Sequence, residues 1–531
     1  MTRAAVAFVL HAHLPDLRDA TAEGSLEERW LFEALTDTYV PLADLLGDLA
    51  RDAVPAAFAL SLSPTLLAML EDPSLRERYR RHLGALVQVA DREVARRRHD
   101  PALGPLAARH RARFARTADR YFDAYGADLA AVFRAHAAAG RLELLTTSAT
   151  HAILPLLQAS PVWLRAQIAI AIAEHRRRFG EPPAGFWLPE CAWDPALDGE
   201  LRRAGIRWVV LDTHGIALAT PAPVFGPWAP IASPDGVIAF GRDPETARQV
   251  WSREGFPGDP WYREYHRDLG YDEPATLEPF LSLPPGGGPS GIKYFRVTGG
   301  TGAKAIYDPD RAAARVAVHA RQFVDGVAER AGVLQATMGR PPVFVCPYDA
   351  ELFGHWWHEG IDWLGAVLRR LAEHRALEAR TPSRELATNP TLQRAQPAAS
   401  TWGEAGHQAV WMAAETSWIH LQLSELGERV AKLCRGAAPA SDGARSAAEH
   451  LLLAQSSDWP FMVSRNTAAA YGRHRLAVHL GACRRLCDAL ERSLAPDPAD
   501  LRPAPLFATL DLPRLGDGAP LSQRRADGYN P

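Results

Sequence analysis

The chain has 531 residues, of which 47% are hydrophobic and 23% are charged, and its formal net charge is -3. This length and apolar content predict a globular protein with a large core and more than one domain. The near-neutral charge excludes the strongly basic surface that nucleic acids or anionic membranes select, so neither partner is expected.

The cysteines predict a reduced protein. There are five, without the close pairs of metal knuckles or disulfide scaffolds. Cys483 and Cys487 lie one helical turn apart and are interpreted as small buried side chains. The apolar run 4–10 is too short for a secretory signal, and no apolar run is long enough to span a bilayer. We therefore expect a cytoplasmic protein; the sequence does not fix the oligomeric state, and a monomer is expected.

In chain order, short runs rich in β-branched and aromatic residues alternate with helical patterns such as 160–179 and 308–331. Most of the short runs are apolar throughout, as in strands covered on both faces. The alternation predicts an α/β fold with a parallel sheet, and at this length a barrel. The seven predicted strands are 4–13, 55–63, 142–148, 185–190, 206–212, 291–298 and 342–349.

Two regions break this alternation. The aromatic segment 220–289 is too long for a plain βα loop and is predicted to be an insertion or lid. Beyond about residue 386 the strand signal ends and helical patterns follow. The predicted organisation is a catalytic barrel over 1–395, a helical domain over 396–495 and a Pro-rich tail over 496–531, whose end is predicted to be disordered.

Polar side chains stand at or just beyond the carboxyl ends of five predicted strands. In a βα barrel these ends converge on one mouth, where catalytic residues collect. One such residue would be weak evidence, but several together predict an active site. They are His11 and His13, His151, Glu190, Asp212 and His214, and Asp349.

Two of these residues are carboxylates among aromatic neighbours. Glu190 lies in "GFWLPECAWDP", where aromatic and aliphatic neighbours would remove water from a carboxylate. Either the side chain turns out to water at the end of the strand, or it is a catalytic carboxylate. Asp349 begins "DAELFGHWW", a mixture of acids and rings that suits sugars, which stack on aromatics and hydrogen-bond to acids. The alternative is an amphipathic loop whose tryptophans pack between domains.

The motifs resemble the conserved regions of glycoside hydrolase family 57. In order these are "HAHLP", "ATHAILPLL", "GFWLPECAW", "CPYDAELFGHWW" and "TWGEAGHQAVWM", and "LLLAQSSDWPFM" is similar to the helical domain of the family. The resemblance extends to about residue 495, and "QVWS" and "GDPWYREYHRDLGYD" look like its 1,4-α-glucan branching enzymes. It implies a (β/α)7 barrel with a helical insertion, an all-helical C-terminal domain, and a retaining mechanism without metal or organic cofactor.

The resemblance also implies roles for individual residues. Glu190 takes the role of nucleophile and Asp349 that of general acid/base, a pair that sits roughly 5–5.5 Å apart in retaining enzymes. The implied glucan-binding residues are His11, His13, Trp30, His151, Trp251, Trp402, Trp411, Asp458 and Trp459. The sequence departs from the family at one loop, where branching enzymes usually carry a tyrosine and this chain has Phe225 and Trp228.

The implied activity is cleavage of an α-1,4-glucan and transfer of the cut chain to a 6-hydroxyl. The missing tyrosine leaves the balance between transfer and hydrolysis open, so 4-α-glucanotransferase and α-amylase remain alternatives on the same site. A metal-dependent hydrolase or deacetylase using His11 and His13 is a remoter alternative, because no third ligand is evident. A non-catalytic glucan-binding protein is disfavoured because both carboxylates are present.

Overall fold

The computed structural model describes residues 3–18, 25–252, 254–278, 280–281, 283, 286–298, 304–435, 441–502 and 505–510. The predicted disordered end of the tail lies outside the described residues. The fold is α/β, with a (β/α)7 barrel and a helical C-terminal region. No described helix has the length and apolar character that crossing a membrane requires.

The strands form two sheets. One has the order β3-β2-β1-β8, with β9 also paired to β1, and the other has the order β10-β6-β7-β5-β4. The pairs β1–β8, β4–β5 and β5–β7 are parallel, whereas β6 and β7 run antiparallel. The strands are β1 (Ala4–Ala12), β2 (Phe58–Leu62), β3 (Leu142–Leu145), β4 (Gly185–Phe186), β5 (Trp208–Leu211), β6 (Ile231–Ala232), β7 (Ile238–Gly241), β8 (Val343–Asp349), β9 (Leu377–Ala379) and β10 (Gln393–Arg394).

Six of the seven predicted strand runs contain a strand, and the prediction at 291–298 is wrong. In that run Phe295 and Arg296 form isolated bridges to Ile306 and Arg263, and no strand among the described residues pairs with the run. β5 lies between two parallel neighbours, β4 and β7, and β7 lies inside the segment predicted to be a lid. β7 forms a strand and the run 291–298 does not, because β7 has a strand to pair with; local strand propensity does not distinguish them.

Helices follow most strands, and several begin with a side-chain cap. Asp72 accepts from Ser74 N and Leu75 N at the start of a 25-residue helix, and Asp308 caps a 30-residue helix in the same way. The helices are α1 (Leu26–Ala34), α2 (Val40–Arg51), α3 (Pro64–Glu71), α4 (Pro73–Arg97), α5 (Leu103–Ala118), α6 (Leu129–Ala138), α7 (Pro161–Phe179), α8 (Leu197–Arg203), α9 (Thr213–Ala217), α10 (Pro244–Trp251), α11 (Leu269–Asp272), α12 (Pro309–Met338), α13 (Gly360–Glu373), α14 (Pro382–Thr388), α15 (Ser417–Arg435), α16 (Asp442–Ala454), α17 (Asp458–Arg465) and α18 (Ala469–Glu491). Two π-helical turns, Leu35–Tyr39 and Asp119–Ala124, follow α1 and α5 directly.

The described residues divide into two compact units. The first unit lies within Met1–Leu60, Met69–Leu144 and Asp243–Thr381, and the second lies within Ser61–Ala68, Leu145–Arg242 and Pro382–Pro531. A core of the second unit joins α15, α16 and α18 to apolar residues of α7. All five cysteines are buried, and Cys483 and Cys487 lie in this core, as predicted.

Candidate active site

The backbone at Glu190 is strained. Glu190 lies in a short 3₁₀ turn, Pro189–Cys191, just after β4, and has φ 61° and ψ 22°. Cys191 and His151 are also left-handed, with φ of 49° and 58°. Side chains other than glycine rarely adopt this conformation, which costs on the order of 1–3 kcal/mol per residue and concentrates at functional sites. Three such residues in two predicted motifs mark a site that the surrounding fold holds in place.

The Glu190 carboxylate accepts hydrogen bonds from two side chains of the second unit. The indole N–H of Trp402 donates to Oε2 over 2.8 Å, and the Ser457 hydroxyl donates to Oε1 over 3.4 Å. The Trp402 backbone N–H also donates to the Glu190 carbonyl, over 2.9 Å. Donors aimed at both oxygens fix the direction of the carboxylate. The side chain is 20% exposed, so a face of the carboxylate stays open.

His151 contacts the same carboxylate through Ser457. Its Nδ1 lies 2.8 Å from Ser457 Oγ and 4.0 Å from Glu190 Oε1, and the imidazole is buried. The Ser457 backbone N–H donates to the His151 carbonyl over 3.1 Å. The Ser457 hydroxyl thus links the imidazole to the carboxylate, because it lies within hydrogen-bond distance of both groups. The structure thus brings His151 and Glu190 together, and it adds Ser457, which the sequence reasoning missed although it lies beside the predicted Asp458.

Trp402 is itself held by neighbours that the sequence did not reveal. Its ring lies edge-on to Trp187, with centroids 5.2 Å apart, and Arg242 Cζ stands 5.5 Å from the ring centroid. Arg242 donates to Asp212 over 3.0 Å, and Asp212 also contacts His214 Nδ1 at 3.2 Å. Asp212 therefore orients a cation against the ring that contacts Glu190.

The other predicted residues of the second unit differ in exposure. Trp411 is buried with Ile153 and Ala192, residues next to the strained positions. Trp459 is fully buried, and its indole N–H donates to the Leu453 carbonyl over 2.7 Å. Asp458 is half-buried and accepts from the Ser456 hydroxyl. Trp411 and Trp459 are buried and present no ring face to solvent.

The predicted lid residues Phe225 and Trp228 lie at the ends of a 3₁₀ turn, and both are half-buried. The Trp228 backbone N–H donates to the Phe225 carbonyl over 3.3 Å. Both positions belong to the second unit, as Glu190 does.

In the first unit, β1 and β8 place their carboxyl ends side by side. His11 is paired in register with Asp349, the last residue of β8, and the rings of His11 and His13 stack with centroids 5.9 Å apart. The prediction that both histidines point the same way is confirmed. Asp349 is half-buried, so it is accessible at the strand end.

A second buried carboxylate, Glu351, lies two residues after Asp349. Its Oε1 accepts from the His13 backbone N–H over 3.1 Å and from the Tyr39 hydroxyl. Burial raises the pKa of Glu351 to about 7. Burial and the charges of Glu351 and Asp349 raise the pKa of the Tyr39 phenol well above its usual value. Tyr39 was not found from sequence, because it lies 312 residues away.

The aromatic residues predicted in the first unit are divided between core and surface. Trp30 in α1 and Trp251 at the end of α10 are half-buried. Of the pair in "GHWW", Trp356 is 43% exposed, whereas Trp357 is buried against Trp363, with ring centroids 5.4 Å apart. One of the two tryptophans is therefore available to a ligand, and the other is a core residue.

A family model and curated relatives identify the family of this chain. A model described as glycosyl hydrolase family 57 matches residues 7–280, and one described as 1,4-alpha-glucan branching enzyme, C-terminal, matches residues 422–501. A 1,4-alpha-glucan branching enzyme of Thermococcus kodakarensis is 30% identical over 91% of this chain and 73% of its own length. A probable 1,4-alpha-glucan branching enzyme of Mycobacterium tuberculosis is 31% identical over 91% of both chains.

Solved structures are similar over nearly the whole chain. An alpha-amylase of Thermotoga maritima has a TM-score of 0.88 at 33% identity, covering 97% of this chain and 99% of its own. A branching enzyme of Pyrococcus horikoshii has a TM-score of 0.82 at 29% identity, covering 92% and 91%.

Proposed function

Because the chain belongs to glycosyl hydrolase family 57, we propose that it is a 1,4-α-glucan branching enzyme, which cleaves α-1,4 bonds and transfers the released chain to a 6-hydroxyl. The observation that carries this proposal is the match of residues 422–501 to the C-terminal region of branching enzymes. Relatives named as branching enzymes at 30% and 31% identity over 91% of the chain support it.

In the proposed mechanism Glu190 is the nucleophile. It attacks the anomeric carbon and forms a glycosyl ester, while the leaving 4-hydroxyl oxygen takes a proton from Asp349. Asp349 then removes the proton of the incoming 6-hydroxyl, which displaces Glu190 and restores the α configuration. The donors Trp402 and Ser457 hold the Glu190 carboxylate in one orientation before attack. We assign no step to a metal or an organic cofactor.

The predicted histidines and tryptophans would hold the glucan. We propose His11, His13 and His151 as partners of sugar hydroxyls, and Trp30, Trp251 and Trp402 as stacking surfaces, since each of these tryptophans is half-buried. Asp458 joins them from the helical segment 396–495, which we propose completes the glucan cleft. Trp411 and Trp459, being buried, would act by supporting that cleft. The proposed substrate is a glycogen-type polymer made in the cytoplasm.

Hydrolysis is the second candidate function, and one observation favours it. The similar alpha-amylase structure covers 97% of the chain, and the loop position of the family tyrosine carries Phe225 and Trp228. If water outcompetes the acceptor for the glycosyl ester, the same site is an α-amylase.

Incubation with amylose separates the two. A branching enzyme creates α-1,6 linkages, counted as new reducing ends after debranching, with few reducing ends before it. An α-amylase creates reducing ends and no branches, and this outcome would replace the proposal.

Substitutions test the two carboxylates. Glu190→Gln and Asp349→Asn should each lower activity on the order of 10²–10⁴-fold, because one loses nucleophilic charge and the other a transferable proton. Asp194→Asn, in the same motif as Glu190, is the matched control and should keep activity. Azide should restore turnover to Glu190→Ala with an inverted glycosyl azide, and to Asp349→Ala with a retained one. Wild-type activity in either carboxamide variant would end the assignment.

A further inference from the structure

The first unit contains a cavity of about 620 Å³ whose lining is rich in cations. It lies among α2, α5 and α13, together with residues of the segment between α10 and α12. Eight lining side chains are Arg or Lys and four are Asp. Its size falls in the range of small-molecule sites, roughly 300–1,000 Å³. None of the residues assigned to glucan binding or catalysis lines it.

Half of these cations already have acidic partners. Arg51 pairs with Asp48 at 2.5 Å, Arg120 with Asp44 at 2.6 Å, and Arg369 with Asp52 at 2.7 Å. Arg113 pairs with Asp37. The remaining four are Arg109, Arg116, Arg263 and Lys293, and only one lining acid, Asp362, is left for them. The lining therefore keeps a positive excess after its internal ion pairs are formed.

The Arg263 guanidinium is buried in the lining of this cavity. It is only 6% exposed, and its Nη1 is buried without a hydrogen-bond partner. Within the described part of the chain, the guanidinium makes no hydrogen bond or ion pair; only the backbone N–H of Arg263 is bonded, to Glu359 over 3.1 Å. Burial and the neighbouring Arg113 cation lower the pKa of Arg263. A buried guanidinium without an acceptor is costly, and an anion in the cavity would satisfy it.

Both π-helical turns of the structure border this cavity. Thr36 and Asp37 belong to the turn Leu35–Tyr39, and Arg120 belongs to the turn Asp119–Ala124. An extra residue in a helical turn rotates the side chains around it, and such turns are frequent at functional sites. Two of them contributing lining residues to one cavity indicate a built site.

We propose that this cavity binds a small phosphorylated metabolite, through phosphate oxygens that accept from Arg263 and from the rim residues Arg109 and Arg116. Arginine suits phosphate because its planar donors engage two oxygens at once. Inorganic phosphate alone would leave most of the cavity empty, so the ligand carries an organic part. Thr117 lines the cavity and offers a hydroxyl, and Asp44, although paired with Arg120, offers carboxylate oxygens to the hydroxyls of the ligand. A phosphorylated sugar and a nucleotide share this chemistry.

Calorimetry on the full chain tests the proposal with glucose 6-phosphate, ADP, inorganic phosphate and glucose as probes. The first two arms distinguish a sugar phosphate from a nucleotide. At least one of them should bind more tightly than inorganic phosphate and than glucose, and added salt should weaken that binding but not any binding of glucose to the glucan subsites. Because binding is measured without glucan, its failure would leave the proposed glucan chemistry untouched.

Three variants locate the site. Arg263→Met and Arg116→Met should weaken binding about tenfold or more, since each removes a charged donor. Arg111→Met is the matched control, because Arg111 lies on the same helix α5, pairs with Asp91 at 3.0 Å and does not line the cavity. Arg263→Met should also leave the melting temperature unchanged or raise it, because no hydrogen bond of that side chain is lost. The proposal is overturned if no phosphorylated probe binds, or if all three variants bind the probe alike.

Discussion

Replacing Trp402 with phenylalanine tests whether the indole N–H controls the proposed nucleophile. The substitution removes the 2.8 Å donor to Glu190 Oε2 and keeps an aromatic ring beside Trp187. A hydrogen bond to a charged group contributes about 1.5–3 kcal/mol, which corresponds to roughly 10- to 150-fold in rate if all of it acts in the transition state. Because Glu190 is 20% exposed, water can replace part of the donor. We therefore expect the lower part of this range, about 10- to 30-fold.

Trp411→Phe is the matched control, since it changes the second tryptophan of the same motif. Trp411 is 1% exposed, and its indole N–H has no hydrogen-bond partner among the described residues. Loss of ring volume from the core destabilises by about 1–2 kcal/mol, whereas removal of an unsatisfied buried N–H offsets part of that cost. The free energy of unfolding should therefore change modestly, and activity per folded molecule should stay near wild type.

The assay is the initial rate of amylose cleavage and of α-1,6 linkage formation, each normalised to the folded fraction from circular dichroism. Trp402→Phe should lower both rates together, because both steps pass through Glu190. Trp402→Ala removes the ring as well, and should reduce transfer more than cleavage, because an acceptor glucan needs a platform and water does not. Activity of Trp402→Phe within a factor of about two of wild type, or an equal loss in Trp411→Phe, would refute the reasoning.

Three further predictions concern Ser457, the buried Glu351 and the removal of metal ions. Ser457→Ala should raise the activation barrier of cleavage by about 1 kcal/mol and so lower the rate roughly fivefold. Ser464 is an exposed serine of α17, and Ser464→Ala should leave the rate unchanged. Burial raises the pKa of Glu351 from 4.5 to about 7, so its stabilising contribution is complete below about pH 4.5 and is lost as the pH rises through 7. The melting temperature should fall across that window, and less so in Glu351→Gln. EDTA should leave activity unchanged, and zinc-dependent rescue would favour the metal-dependent alternative.

The barrel strands were predictable where they are buried on both faces. All nine residues of β1 are buried, and such uniform apolar runs stand out from the amphipathic helices around them. β7 has only four residues and lies between turns, so its run carried too little signal. The run 291–298 has more β-branched and aromatic residues than β7, yet it forms no strand. Strand propensity describes how well a run fits a neighbouring strand, and the residues of the run do not specify that neighbour.

The same limit applies to the site. Residues at strand ends, such as Glu190 and Asp349, were predictable because a barrel fixes where strand ends lie. Their partners come from distant parts of the chain: Trp402 is 212 residues from Glu190, and Ser457 is 267 residues away. The motifs drew attention to Trp402 as a stacking ring, but its hydrogen bond to the carboxylate depends on tertiary geometry alone.

The left-handed backbone at Glu190 makes the contacts of Trp402 important for the proposed nucleophile. In the left-handed conformation glycine would be favoured at 190 and 191, yet the chain has glutamate and cysteine there. The turn is held by the Trp402 backbone N–H on the Glu190 carbonyl, while the Trp402 indole holds the carboxylate of the same residue. Trp402 thus contacts both the main chain and the side chain of Glu190. Trp402→Phe leaves the backbone bond in place and removes only the side-chain bond, so a loss of activity without a loss of stability would measure the orientation of the carboxylate itself.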